Sequence, residues 1–221
     1  GHYFRALTEK IPFVCHGLSL NLGGIAPLDI KFLESVKQFI NTHNIRVYSE
    51  HLSYCADEGH LYDLMPIPFT EEAIKYVSSR IKQAQEIVGK RIAIENISYY
   101  AAPFKKINEI EFINAVLDEA DCDLLIDINN IYVNSINHHY NAEDFMRLLP
   151  KERIVYAHIA GHYNEAEDLL VDTHGSDVID PVWALLKKSY EYFDVFPTLL
   201  ERDFNIPKLD KLLEEVGKIR L

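Results

Sequence analysis

Six short apolar runs, each followed by an amphipathic segment, set the strongest limit on what this chain can fold into. They are IPFVCHG (11–17), IRVYSEHLS (45–53), RIAIENIS (91–98), CDLLIDINNIY (122–132), RIVYAHIAG (153–161) and PTLLERD (197–203). Their apolarity is mostly continuous rather than alternating. A strand of that kind is buried on both faces, as in a parallel sheet. The segments between them have readable helix ends. Residues 28–42 place Phe32, Leu33, Val36, Phe39 and Ile40 on one stripe. Thr70 predicts the cap of a helix opened by Glu71 and Glu72 and closed by Gly89. Asn108 with Glu111 predicts a capping-box variant over 109–120. Asn141 starts a short helix that must stop near Pro150. Asp180 and Pro181 read as N-cap and first residue of a helix over 181–193, and a last helix covers 208–219.

This is a βα unit repeated six times, with right-handed crossovers. Two architectures satisfy it. One is a (β/α)8 barrel that lacks its first strands in this chain, and the other is an open doubly wound sheet. No GxGxxG follows a strand, and LNLGGIAP lacks the Lys-Ser/Thr of a phosphate loop, so it reads as a turn. With 221 residues the chain can bury one sizeable core. A net charge of −12, with no basic cluster longer than Lys105–Lys106, argues against nucleic acid as a partner. No apolar run is long enough for a membrane helix, and GHYFRALTEK lacks the apolar stretch of a signal peptide. Cys15, Cys55 and Cys122 form no CxxC pair, which reads as a reduced, cytoplasmic protein with cysteines as small core residues.

The ends of the six runs carry the chemistry. They finish at His16, at His51 beside Glu50, at Glu95, at Asp127 with Asn129 and Asn130, at His158, and at Glu201 with Asp203. In a parallel βα fold all these ends lie on one face, where active sites sit. Taken singly, each residue reads as a hydrogen-bonded structural group or a cap. Together, three His, two Glu and one Asp would leave buried charge uncompensated, at several kcal/mol per ion. A divalent metal removes that cost, and imidazole with carboxylate selects Fe, Mn, Zn or Co over Ca or Mg. Side chains alternate along a strand, so Glu50 and His51 cannot share a face. His51 is the inward choice with Ser49 and Val47; Glu95 goes with Ala93 and Ile97, and Asp127 with Leu125 and Asn129.

The stretch HIAGHYNEAEDLLVDTHGSD spans 20 residues, long for a βα connection. Its Asp172 and His174 form a candidate pair for a further metal. The competing reading is a solvated acidic loop bearing Glu165, Glu167 and Asp168. Tyr62, Tyr99 and Tyr100 read as packing, His138–His139 as surface loop, and His43 and His60 as helix-end and loop residues. There is no GxSxG and no Ser-His-Asp order.

The motifs HGLSL, SEHLSY, DLMPIPFTEEA, IENIS, IDINNIYVNSINH, HIAGH, DTHG, DPVWAL and ERDFNIP follow one another across nearly the whole chain. In this order they closely resemble a bacterial family, long uncharacterised, that includes the multinuclear iron enzymes of methanobactin biosynthesis. The resemblance implies a xylose-isomerase-like TIM barrel, a single domain over 1–221 that is N-terminally incomplete. It implies two or three non-haem iron ions, with Zn or Mn as substitutes. It implies oxygen-dependent modification of cysteine in a small ribosomally made peptide, helped by a small partner protein that presents it. Carried over by motif, His16, His51 and Glu95 hold one iron, and Glu95 bridges to a second held by Asp127, His158 and Glu201. Asn130, Asp172 and His174 lie near a third, and Glu95, Asp127 and His158 are the expected catalytic residues. The family has two further strands before HGLSL, the second ending in a Glu-Asn-Tyr-like motif. It also often has His-Asp where this chain has Tyr62–Asp63, and Trp where it has Arg202. Rival readings of the same donors are a metal-dependent sugar isomerase or hydrolase, and a non-enzymatic metal-binding protein.

Overall fold

The computed structural model describes residues 2–57 and 59–220. It divides into two compact units, Gly1–Ile97 with Ala101–Leu124, and Ser98–Tyr100 with Leu125–Leu221.

The first unit contains, in chain order, α1 (His2–Thr8), β1 (Cys15–Gly17), α2 (Ile30–His43), β2 (Tyr48–His51), β3 (Ser53–Ala56), β4 (His60–Pro66), α3 (Glu71–Val88), β5 (Ala93–Glu95) and α4 (Glu109–Ala120). β1, β2 and β5 are parallel neighbours, with His16 opposite Ser49 and His51 opposite Glu95. The apolar residues of β5 are sealed: Ala93 and Ile94 have no exposed surface. The helix ends follow the capping chemistry. Asp29 accepts from the Phe32 N–H, Thr70 from the Ala73 N–H, and the Asn108–Glu111 box is formed. Gly89 closes α3 at φ 83°, a left-handed conformation that glycine adopts without strain. α3 buries Ile74, Val77, Ile81, Ala84 and Val88, and it packs on α4 through a face that includes Phe112, Val116 and Leu117. Each such side chain, fully buried, contributes about 1.5–3 kcal/mol. On α2 only Leu33 and Ile40 of the expected stripe are buried; Phe39 is exposed and stacks with Phe4 of α1. The antiparallel hairpin β3–β4 was not legible in the sequence, where IRVYSEHLS (45–53) read as one run. The side chain of Tyr62 lies outside the described residues.

The second unit contains the end of β6 (Asp123–Asp127), then α5 (Ile128–Asn137), α6 (Ala142–Arg147), β7 (Ile154–Ile159), β8 (Tyr163–Ala166), β9 (Leu169–Val171), α7 (Asp180–Phe193), β10 (Thr198–Leu200) and α8 (Leu209–Ile219). β7 and β10 are parallel, with His158 opposite Leu199. Four expectations need correction here. The run 122–132 is not one strand: it turns helical at Ile128, because Asp127 caps α5 through the Asn130 N–H at 2.7 Å. Asn129 therefore does not continue the strand face of Leu125 and Asp127. A short apolar run cannot by itself separate a buried strand from a buried helix. The long acidic stretch after β7 is partly the hairpin β8–β9. His138 is not a surface-loop residue: its Nε2 lies 2.8 Å from the Tyr99 carbonyl, and its ring stacks on Tyr99 at 4.1 Å. At α7 the cap is Ile179 rather than Asp180, one residue earlier than expected.

Among the described residues no helix is long and apolar enough to cross a membrane. Among the described residues no disulfide joins Cys15, Cys55 and Cys122, and burial pushes the Cys15 and Cys55 thiols up, with Glu50 adding to the effect.

Candidate metal centre

In the first unit, strand register brings together three donors that are far apart in sequence. Glu95 Oε2 lies 3.0 Å from His16 Nε2 and 3.2 Å from His51 Nε2. The two imidazole nitrogens are 3.1 Å from each other. The Glu95 side chain is 2% exposed, and both imidazoles are 14% exposed. Register also fixes the orientation of His16. Ser49, opposite it, puts Oγ 2.8 Å from His16 Nδ1 and donates to the Cys15 carbonyl at 3.5 Å. With Nδ1 engaged by Ser49, His16 presents Nε2 to the centre. Glu50 does point away from His51, as alternation requires. It accepts from the Tyr48 hydroxyl and from the Leu20 N–H, holding the turn that follows His16. Burial raises its pKa, against the hydrogen bonds from Tyr48 and Leu20. A Cβ at Gly17 would overlap the Glu50 carboxylate and the Tyr48 hydroxyl, so a larger residue there would have to displace that pair.

The second unit holds a richer cluster. Asp127, His158 and Glu201 offer ligand atoms within 4.8 Å of one another. His158 Nδ1 is 2.8 Å from Glu201 Oε2 and 3.9 Å from Asp127 Oδ2. His174 joins them: Nε2 is 2.8 Å from Asp172 and 3.9 Å from Asp127, while Nδ1 is 3.2 Å from Glu201 and 3.5 Å from Asp203. His174 has φ 47°, a left-handed backbone uncommon for a residue with a Cβ, and such strain collects at functional sites. Burial opposes its protonation, but Asp172, Asp203 and Glu201 outweigh that and raise its pKa. Asp172 is itself held. It accepts from Ser98 Oγ at 2.7 Å and from Asn129 Nδ2 at 2.9 Å, and the Tyr100 hydroxyl accepts its N–H. Asn130 contributes its backbone N–H to Asp127. Asn129 and Asp203 were named at the strand ends but not among the metal donors, Tyr100 read as packing, and Ser98 was not singled out from sequence.

The chemistry of these donors fits a cation. In the second cluster two imidazoles face four carboxylates, so even double protonation leaves two negative charges uncompensated. Asp127 is fully buried and His158 is 1% exposed. A divalent ion beside them reverses that balance. The imidazole–carboxylate donor set suits a first-row transition metal.

Two residues close in sequence to the donors are tightly held. A Cβ on Gly161 would overlap the backbone carbonyls of Ser176 and Asp177, which cannot retreat as a flexible side chain would. Gly161→Ala is therefore expected to cost about 1–3 kcal/mol in a urea melt, as overpacking does; an unchanged midpoint would refute the close approach. Arg202 is held in an ion-pair network. Its side chain, 5% exposed, pairs with Glu215 at 2.7 Å and Asp177 at 3.4 Å, and Glu215 also accepts the Val178 N–H.

Comparison with known proteins places these residues in context. The family described as "RiPP precursor modification enzyme MbnB/TglH/ChrH" matches residues 1–221. A UPF0276 protein of Shewanella loihica is 62% identical over 219 residues, covering 99% of this chain and 79% of that one. Among solved structures, a xylose isomerase domain containing protein from Salmonella typhimurium aligns with a TM-score of 0.65 at 10% identity, over 99% of this chain and 76% of that one. The IOLI protein with a binding zinc atom aligns with a TM-score of 0.61 at 16% identity, over 99% of this chain and 79% of that one. These likenesses decide between the two architectures left open by the sequence. The fold is an α/β barrel of the xylose-isomerase-like class.

Proposed function

Because the chain belongs to the MbnB/TglH/ChrH family of RiPP precursor modification enzymes, we propose that it is a metal-dependent, oxygen-using enzyme that modifies cysteine in a small ribosomally made peptide. The observation that carries the metal reading is the convergence of two imidazoles on one buried carboxylate at His16, His51 and Glu95. Two histidines with one carboxylate are the donor set of non-haem iron oxygenases. The charge surplus around Asp127, His158, His174 and Glu201 supports a second metal, and Asp172, His174 and Asn130 are candidates beside a third. Zinc or manganese would substitute in the same donors.

When bound, iron supplies a binding point for a substrate thiolate and redox chemistry with dioxygen. The protein's share is orientation and charge. Ser49 holds His16 with Nε2 turned to the centre, and Asp172 holds His174. Burial of Asp127 and His158 keeps water from competing for them. A cytoplasmic setting keeps both ferrous iron and a cysteine substrate reduced, and a small partner protein that presents the peptide completes the proposal.

Anaerobic purification with elemental analysis, followed by oxygen titration with a short Cys-containing peptide encoded beside the gene, tests it. The expected result is more than one iron per chain, a visible spectrum that changes with oxygen, and a mass shift on the peptide cysteine. A single tightly held zinc with no oxygen response would overturn the oxidase reading in favour of hydrolase or isomerase chemistry.

A further inference from the structure

His162 lies in the HIAGH motif, outside the donors above, and its hydrogen bonding defines which ring nitrogen carries the proton. Asn129 Nδ2 donates to Asp172 Oδ1 at 2.9 Å, because a carboxylate only accepts. The Asn129 amide is therefore oriented with Oδ1 toward His162, whose Nδ1 is 2.7 Å away. An amide oxygen also only accepts, so Nδ1 must donate. In the neutral ring this leaves the lone pair on Nε2, which makes no hydrogen bond to any described residue. Burial lowers the imidazole's affinity for a second proton; Asp172 opposes that shift and His174 adds to it, and these are the charged groups that act on the ring. Tyr132 stacks on the ring at 5.5 Å, and 7% of the residue's surface remains exposed. The chain of contacts His162–Asn129–Asp172–His174 ties the Nδ1 side of the ring to the second cluster and fixes the ring's orientation beside it.

We propose that His162 Nε2 is the proton acceptor of the site, taking the proton of an incoming thiol as its sulfur binds as thiolate. The S–H bond breaks, the electron pair stays on sulfur, and the proton moves to Nε2. The imidazolium so formed keeps its Nδ1 hydrogen bond to Asn129, with the Asp172 carboxylate beyond it. This rests on the thiol-substrate reading above.

The test uses cobalt(II)-loaded protein and N-acetylcysteine amide as the thiol probe, in weak buffer with a pH indicator. Thiolate binding is read from the sulfur-to-cobalt absorption band. Wild type is expected to bind the thiol and retain its proton. His162→Ala, and His162→Gln, which fills the space but offers no basic nitrogen, are expected to hold the same cobalt, to release the proton to solvent, and to bind on the order of tenfold more weakly. Equal affinity and equal proton release in wild type and variants would overturn the assignment of His162 alone. Loss of cobalt from both variants would make His162 a support of the metal cluster and also overturn it. Absence of any thiolate band in cobalt-loaded wild type would overturn the thiol-substrate reading, and the proposal with it.

Discussion

Glu95→Gln is expected to empty the first centre. The carboxylate is the one anion among the donors His16, His51 and Glu95, and both Nε2 atoms lie within 3.2 Å of its Oε2. Glutamine keeps the size and an acceptor oxygen but removes the charge that offsets a divalent cation in a buried site. Losing an outer-shell partner typically lowers metal affinity about 10–100-fold, and loss of a charged ligand should exceed that. A 100-fold fall in affinity also removes about 2.7 kcal/mol of metal-linked stability when metal is in excess. Metal per chain after gel filtration is the first measurement, and the melting temperature with and without added iron is the second. Wild-type stoichiometry in Glu95→Gln would remove Glu95 from the ligand set.

The second large effect is at Asp127, whose two oxygens do different work. Oδ1 accepts the Asn130 N–H and caps α5, while Oδ2 faces His158 and His174 at 3.9 Å each. Asp127→Asn keeps an oxygen for the cap and loses the charge. Without metal it should be as stable as wild type or more so, since it removes one of four clustered carboxylates. With metal present it should bind far less, again by more than about 100-fold. Asp127→Ala should share the metal loss and add about 0.5–2 kcal/mol of destabilisation from the missing cap. The comparison is read from urea melts of metal-free protein beside elemental analysis. Two variants with identical metal-free stability would argue against the capping role; a metal content equal to wild type in Asp127→Asn would argue against the ligand role.

Much of this was legible before any coordinates, because the signals are local. Continuous apolarity marked all six strands that end at the donors, and Asp29, Thr70, Asn108 and Asn141 marked helix starts through one side-chain oxygen each. The polar residue closing each run named His16, His51, Glu95, Asp127, His158 and Glu201 as donors. Where the signal was not local, the reading failed. Residues 128–132 read as a continuation of the apolar run before them, but the helix already starts at Ile128 with Asp127 as its cap. The hairpin β8–β9 gave an acidic surface pattern with four exposed strand residues, which looks like loop. Arg202 gave no hint of Glu215.

Residue type and strand position, then, are written in the chain: which side chains can donate, and that each stands at the end of a buried strand. Which donors meet is decided by tertiary structure. His16 and His51 are 35 residues apart, and they touch only because β1 lies beside β2 with His16 opposite Ser49, and β2 beside β5 with His51 opposite Glu95. Likewise Asn129 reaches both His162 and Asp172 only once α5 and the segments flanking the hairpin are folded together. Periodicity and capping act over a few residues, whereas parallel register and hydrogen-bond partners are set by packing across dozens, and that is where the site is made.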